Sequence, residues 1–289
     1  MWGNKAAASV GLLGSGFVRN VIGPLALMSI TPLVAVLFVY ANTHLDGSLA
    51  LLMKKLYENP SNLINTAFTV KGYTAGKILA TFAIFELLVM RFMPGGEFRG
   101  PVSPGGNVPV YKANGFQSYI FTIFTYLFSA YYLKLFNPSI IYDHYQEMIV
   151  IMCFFSFGFC AFLYVKGLYF PSSSDNGSNG NPVLDFYWGT ELYPRIFGWD
   201  VKQFTNCRFG MMAWPLLPLA FAHKSLELHG VLSFAMIVNV SLQLVYVSKF
   251  FLWETGYLAS IDIMHDRAGY YICWGCLVWV PVSVFLCPL

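Results

Sequence analysis

Residues 253–275, WETGYLASIDIMHDRAGYYICWG, decide how this chain is read. They carry Glu254, Asp262, His265, Asp266 and Arg267 between two apolar runs, near 231–252 and 268–286, each long enough to cross a bilayer. Ionisable side chains are costly in hydrocarbon, so a cluster at or beside membrane depth marks a functional site.

Working outward, the whole chain follows the same pattern. Of 289 residues, 57% are hydrophobic and only 11% are charged, against about 25% charged in ordinary soluble domains. The surplus apolar surface belongs against lipid. A net charge of +3, dispersed along the chain, gives no basic patch and no reason to expect nucleic-acid binding. The predicted fold class is all-α, a polytopic transmembrane bundle. Its seven spans lie near 21–41, 73–93, 116–136, 147–165, 208–224, 231–252 and 268–286. Residues 1–20 form an N-terminal tail and 21–289 the transmembrane domain. The second span is weakened by Lys77 and Glu86, and the fifth is broken by Pro215 and Pro218. Residues 45–58 have the pattern of an interfacial amphipathic helix.

Basic residues orient the bundle. Lys5, Arg19, Arg91, Arg99, Lys112, Lys166, Arg195, Lys202, Arg208, Lys249 and Arg267 fall on one side. Lys54, Lys55, Lys71, Lys134 and Lys224 fall on the other. This bias puts the N-terminus in the cytoplasm, and with it the 253–267 cluster. On that topology the sequon Asn176-Gly-Ser178 is also cytoplasmic and therefore discounted for glycosylation.

Several familiar chemistries find no footing. Gly11, Gly14 and Gly16 do not make a dinucleotide fingerprint, and no strand precedes them. Cys273 and Cys276 have redox spacing but lack the βαβ setting of a redox motif. All cysteines but Cys207 lie in apolar runs, Cys287 included, and read as small buried or lipid-facing residues. Five histidines, with the Asp143-His144-Glu147 group on the opposite side, do not supply the histidine boxes of a membrane metal centre, so no metal is expected.

Two segments carry chemistry. If 254–266 is one helix, Asp262 and Asp266 share a face with His265 beside Asp262. Glu254 then lies about three turns from His265 on nearly the same side. The alternative is a connector whose charges pair locally, Asp266 with Arg267 and Lys249 with Glu254. The long loop 166–207 alternates charges with Phe186, Tyr187, Trp188, Tyr193 and Trp199. It reads either as an interfacial aromatic belt or as an ordered lid over a ligand site.

These segments resemble the membrane sterol reductases, the family of sterol C14-, C7- and C24(28)-reductases and the lamin B receptor. The resemblance rests on DFYWGTELYPR (185–195), NCRFGMMAW (206–214) and the run 253–281. GPVSPGGNVPVYKANG (100–115), FNPSIIYDH (136–144) and SSSDNGSNGN (172–181) agree with it. The wording is nearest to the C7-reductase branch, of plant type.

The resemblance implies a ten-span protein of the endoplasmic reticulum membrane that uses NADPH to reduce the C7–C8 double bond of Δ5,7-sterols. Its implied partners are the sterol, the bilayer and other sterol-biosynthesis enzymes. An isolated alkene accepts hydride only after protonation, so such a site needs a proton donor in a dry cavity. Glu254 matches the family's glutamate and is the implied proton source or relay. Asp262, His265 and Asp266 match D-I-x-H-D and take orienting and relaying roles. Glu191, Tyr193, Arg195, Trp253, Tyr257 and Trp274 are the implied sterol contacts, with Tyr193 in place of the commoner asparagine. The family's cofactor segments (R-R-x-x-G, W-G-x-x-R-H and C-x-x-K-Y-G) have no match here. The expectation is therefore a sterol-facing part without cofactor-binding residues. A non-catalytic sterol-binding or regulatory protein is the alternative.

Overall fold

The computed structural model describes residues 16–284; expectations resting on Lys5, Gly11, Gly14 or Cys287 lie outside them. The helices are α1 (Gly23–His44), α2 (Leu49–Glu58), α3 (Pro60–Ala67), α4 (Thr74–Phe92), α5 (Gly115–Leu127), α6 (Ile140–Asp143) and α7 (Tyr145–Tyr169). They continue with α8 (Pro182–Trp188), α9 (Met211–His229), α10 (Phe234–Leu252), α11 (Glu254–Leu258), α12 (Ile261–Met264), α13 (Tyr270–Trp274) and α14 (Val280–Val284). Wide π-helical turns at Val18–Ile22, Phe128–Tyr132, Gln203–Gly210 and Gly275–Trp279 adjoin α1, α5, α9 and α13.

Among the described residues, all seven apolar stretches fall on helical segments. Val18–His44, Tyr145–Tyr169 and Phe234–Leu252 are long and apolar enough to cross a membrane by length and composition. Their outer faces show why the apolar surplus exists. In α10 only Met236, Val247 and Phe251 are buried, while Leu242, Val245 and Tyr246 point outward. Such a surface is stable against hydrocarbon and not against water.

The inner faces make the core. Ala35, Val36 and Val39 of α1 are fully buried, as are Ile149, Val150 and Cys153 of α7, which packs against it. α9 packs on α10 and α14, and α4 packs on α7 and the 203–210 turn. Pro215 and Pro218 are buried within a helix that continues from Met211 to His229, so the predicted break of the fifth span is corrected. Residues around both prolines are mostly buried, and the surrounding bundle holds the helix together where its own ladder loses two donors. The predicted helix within 45–58 is α2, started by Ser48, whose side chain accepts from the Leu51 N–H.

Two short hairpins accompany the helices. β1 (Gly96–Arg99) pairs antiparallel with β2 (Val110–Ala113), Gly96 opposite Ala113 and Arg99 opposite Val110. β3 (Arg195–Ile196) pairs with β4 (Trp199–Asp200). Both hairpins lie in long connectors, where backbone groups without helical partners pair with each other. The first joins α4 to α5.

Candidate functional site

α10 ends at Leu252, and the next two residues face opposite ways. Trp253 is exposed, with the Lys249 ammonium 5.0 Å over its ring. Glu254 opens α11 and turns inward, 3% exposed. There it meets Arg208, whose side chain is wholly buried and reaches in from the Gln203–Gly210 turn, Nη1 2.5 Å from Glu254 Oε1. The Gly115 N–H donates to Glu254 Oε2 at 2.8 Å, and Gln203 Nε2 donates to Oε1 at 3.4 Å. A Cβ on Gly115 would collide with this carboxylate, which explains the glycine. Arg208 Nη2 donates to Asn114 Oδ1 at 2.8 Å, and Asn114 Nδ2 in turn donates to Met90 O and Met93 O at 3.1 and 3.0 Å.

This one pair therefore ties together the C-terminal end of α4, the start of α5, the turn before α9 and α11. A buried pair is sound only when its remaining donors and acceptors are matched, and here most are. Among the described residues Arg208 Nε and Glu86 Oε2 have no hydrogen-bond partner. Glu86 sits fully buried in α4, and Thr122 of α5 donates to its Oε1 at 2.7 Å.

A second buried cation lies nearby, outside the apolar spans. Lys202 Nζ donates to Ile263 O at 2.5 Å and Asp266 O at 2.8 Å, closing the end of α12, and stands 5.1 Å over the Tyr193 ring. Burial pulls its ammonium down to about 8, against the pull of Asp200, Cys273, Asp266 and Asp262. Burial likewise raises the Asp200 carboxyl, although the Gln203 N–H bonds it at 2.9 Å.

The stretch 254–266 is not one helix. α11 stops at Leu258, Ser260 is extended (φ −77°, ψ 165°), and α12 ends at Met264. Glu254 and His265 therefore do not share a helical face: Glu254 is inside, and the His265 side chain is 70% exposed. Asp262 is exposed and Asp266 buried, so they do not share a face either. His265 Nδ1 lies 3.0 Å from Asp266 Oδ1, with the Trp188 ring edge-on to the imidazole. The local pairs expected from sequence are also replaced. Lys249 goes to Trp253, Glu254 to Arg208, and Arg267 Nη1 donates to Gly177 O at 2.6 Å. The cause is the turn at 259–260, which rotates everything after it away from the Glu254 side.

The ergosterol biosynthesis ERG4/ERG24 family profile matches residues 23–289. The chain belongs to this family. It is 48% identical over 265 residues to the 7-dehydrocholesterol reductase of Arabidopsis thaliana, covering 91% of this chain and 61% of that protein. It is 32% identical over 270 residues to the Xenopus laevis 7-dehydrocholesterol reductase, covering 88% and 57%. With the Delta(14)-sterol reductase of Methylotuvimicrobium alcaliphilum it shares 32% over 212 residues, covering 73% and 49%. The chain thus spans 61% or less of the length of these curated relatives.

The loop 170–200 of this ERG4/ERG24 chain is ordered by its own charges. Glu191 accepts from Lys166 Nζ at 2.8 Å and from the Ser172 N–H at 2.5 Å. Asp175 accepts from the Gly105 N–H and Asn107 Nδ2 at 2.8 and 2.6 Å, and Asp185 from the Asn179 N–H at 2.7 Å. Arg195 Nη2 donates to Val110 O at 2.6 Å. The six residues expected to contact sterol are consequently scattered. Glu191 and Arg195 hold the loop, Tyr193 lies under Lys202, Trp253 points outward, the Tyr257 hydroxyl accepts from Asn206 Nδ2 at 2.8 Å, and Trp274 stacks on Tyr270. Of these, only Arg195 reaches the cavity of about 320 Å³ on the loop side, which Gln203, Lys112 and Trp199 also line.

Of the cations lining that cavity, Lys112 Nζ donates to Arg91 O and Arg195 Nη2 to Val110 O. Sequence reasoning missed Glu86, Asn114, Lys202, Gln203 and Arg208 as a set. A visible signal existed for two of them: Glu86 is a carboxylate inside an apolar run, and Arg208 lies in the quoted 206–214 motif.

Proposed function

We propose that this chain forms the membrane-embedded, sterol-handling portion of a sterol C7-reductase, acting on the C7–C8 double bond of Δ5,7-sterols in the endoplasmic reticulum membrane. The observation that carries this reading is the 48% identity extending over 91% of the chain to a 7-dehydrocholesterol reductase. In this reading all seven apolar helical segments cross the bilayer, and the excess of lysine and arginine on one side sets the N-terminus in the cytoplasm. NADPH is the reductant this reading implies.

The chain's own contribution is to bind the sterol, exclude water and handle protons. Every neighbour bonded to Glu254 is a cation or an N–H donor. We therefore assign Glu254 a positioning role: it fixes the buried Arg208 and, through Gln203, the wall of the loop-side cavity. The His265–Asp266 pair is the proton-exchanging one, because its imidazole meets water while its carboxylate is buried. Asp262, exposed and one helical turn before, supports that exchange.

The test is NADPH-dependent conversion of 7-dehydrocholesterol by microsomes. The chain should be expressed alone and also joined to the remaining C-terminal part of the Arabidopsis relative. Conversion by the joined form is the expected outcome. A joined form that inserts normally, with the parent Arabidopsis enzyme active alongside, and leaves the Δ7 bond untouched would overturn the reading.

A further inference from the structure

The scatter of the expected sterol contacts leaves open where a sterol fits. A cavity of a different character, about 400 Å³, lies between α4 and α5. Its walls are Ile78, Phe82, Phe85, Tyr126, Ile141 and Leu216. On α4 the lining residues run from Thr74 to Phe85 along one stripe, twelve residues or about 16 Å of helix. That length suits a rigid ring system. The neighbouring outer faces, with Ile84, Leu88 and Phe124 exposed, are the lipid-facing ones. An amphiphile can therefore enter sideways from the bilayer.

The two ends of the cavity differ. Thr74, Lys77 and Ser129 mark the end near the start of α4, beside the exposed Tyr73, where headgroups and water satisfy polar atoms. The other end is Thr122, seven residues into α5 and 3% exposed. Its hydroxyl hydrogen goes to Glu86 Oε1, so toward the cavity Thr122 offers only acceptor lone pairs. Behind it Glu86 Oε2 lacks a partner. A dry polar end with acceptors to fill selects a ligand with one hydroxyl donor, because a buried polar group left unmatched costs more than a bond gains.

Resting on the sterol reading above, we propose that this cavity is a sterol-docking site, from which the sterol passes on to the proton-exchanging residues, entered hydroxyl first, with the 3-hydroxyl donating to Thr122 and the ring system along the Ile78–Phe82–Phe85 stripe. The site lies apart from the 185–195 and 253–275 segments. Its specificity group is Thr122, held in orientation by Glu86.

The experiment uses the full chain in nanodiscs with a 3β-hydroxysterol bearing a diazirine on its ring system. Labelling should fall on 74–92 and 115–132 and be competed by 7-dehydrocholesterol. Thr122→Val should weaken hydroxysterol binding about tenfold and leave the 3-ketone analogue unchanged, with Thr122→Ser restoring it. Ile78→Trp should block both ligands. Labelling confined to 185–200 or 253–275, equal loss of ketone and hydroxysterol, or no saturable labelling would overturn the site. Labelling elsewhere with Δ7 reduction intact removes this site and keeps the reductase reading. Labelling at α4 and α5 without reduction by the joined form does the reverse.

Discussion

Two polar regions of this protein are built in opposite ways. Around Glu254 and Arg208 the partners come from four separate elements, and both charges are buried. In the loop 170–200 each carboxylate folds nearby backbone around itself, with residues a short way along the chain or on the adjoining hairpin. The first region makes the fold depend on the pair. The second makes an ordered loop whose carboxylates are matched locally and which Lys166 and Arg267 tie to the bundle.

Removing Arg208 should break the contrast most strongly. Arg208→Met leaves Glu254 buried without its cation and should cost about 3–5 kcal/mol, read as a lower unfolding midpoint in detergent. Arg208→Met with Glu254→Gln should recover much of it. If the single variant loses less than about 1 kcal/mol, the pair does not join the four elements.

Lys202 tests the same idea through pH. Its folded-state pKa, about 8, is below the unfolded value near 10.5, so the folded state binds fewer protons between them. Stability from this group should therefore rise as pH climbs from 8 to 10.5, by on the order of 3 kcal/mol, and be flat below 8. Lys202→Met should remove that rise. The loop should respond on a smaller scale. Asp175→Ala should cost about 1–2 kcal/mol and speed proteolysis within 170–181 while the bundle's unfolding midpoint barely moves. His265→Ala, at an exposed side chain, should change stability by less than about 0.5 kcal/mol yet lower turnover in the joined form.

The same contrast explains what sequence could reveal. Apolar runs announce helices because their composition alone forces them out of water, and all seven fell on helical segments. The ordered nature of 170–200 was legible in its turn residues and aromatic spacing. The partner of Glu254 was not, since Arg208 is 46 residues away and nothing local points to it. The single-helix reading of 254–266 failed because Ser260 adopts an extended conformation that its neighbours do not signal. Glu86 looked like a flaw in a span and is instead a buried acceptor behind Thr122.

The relatives of this chain include reductases named for two different positions, so the proposed function turns on which sterol bond is reduced. The most direct measurement offers the joined form a Δ5,7-sterol and a Δ8,14-sterol together, with NADPH, and follows both by mass spectrometry. The account predicts that the Δ5,7-sterol loses its C7–C8 double bond while the Δ14 bond persists. Preferential loss of the Δ14 bond would contradict it.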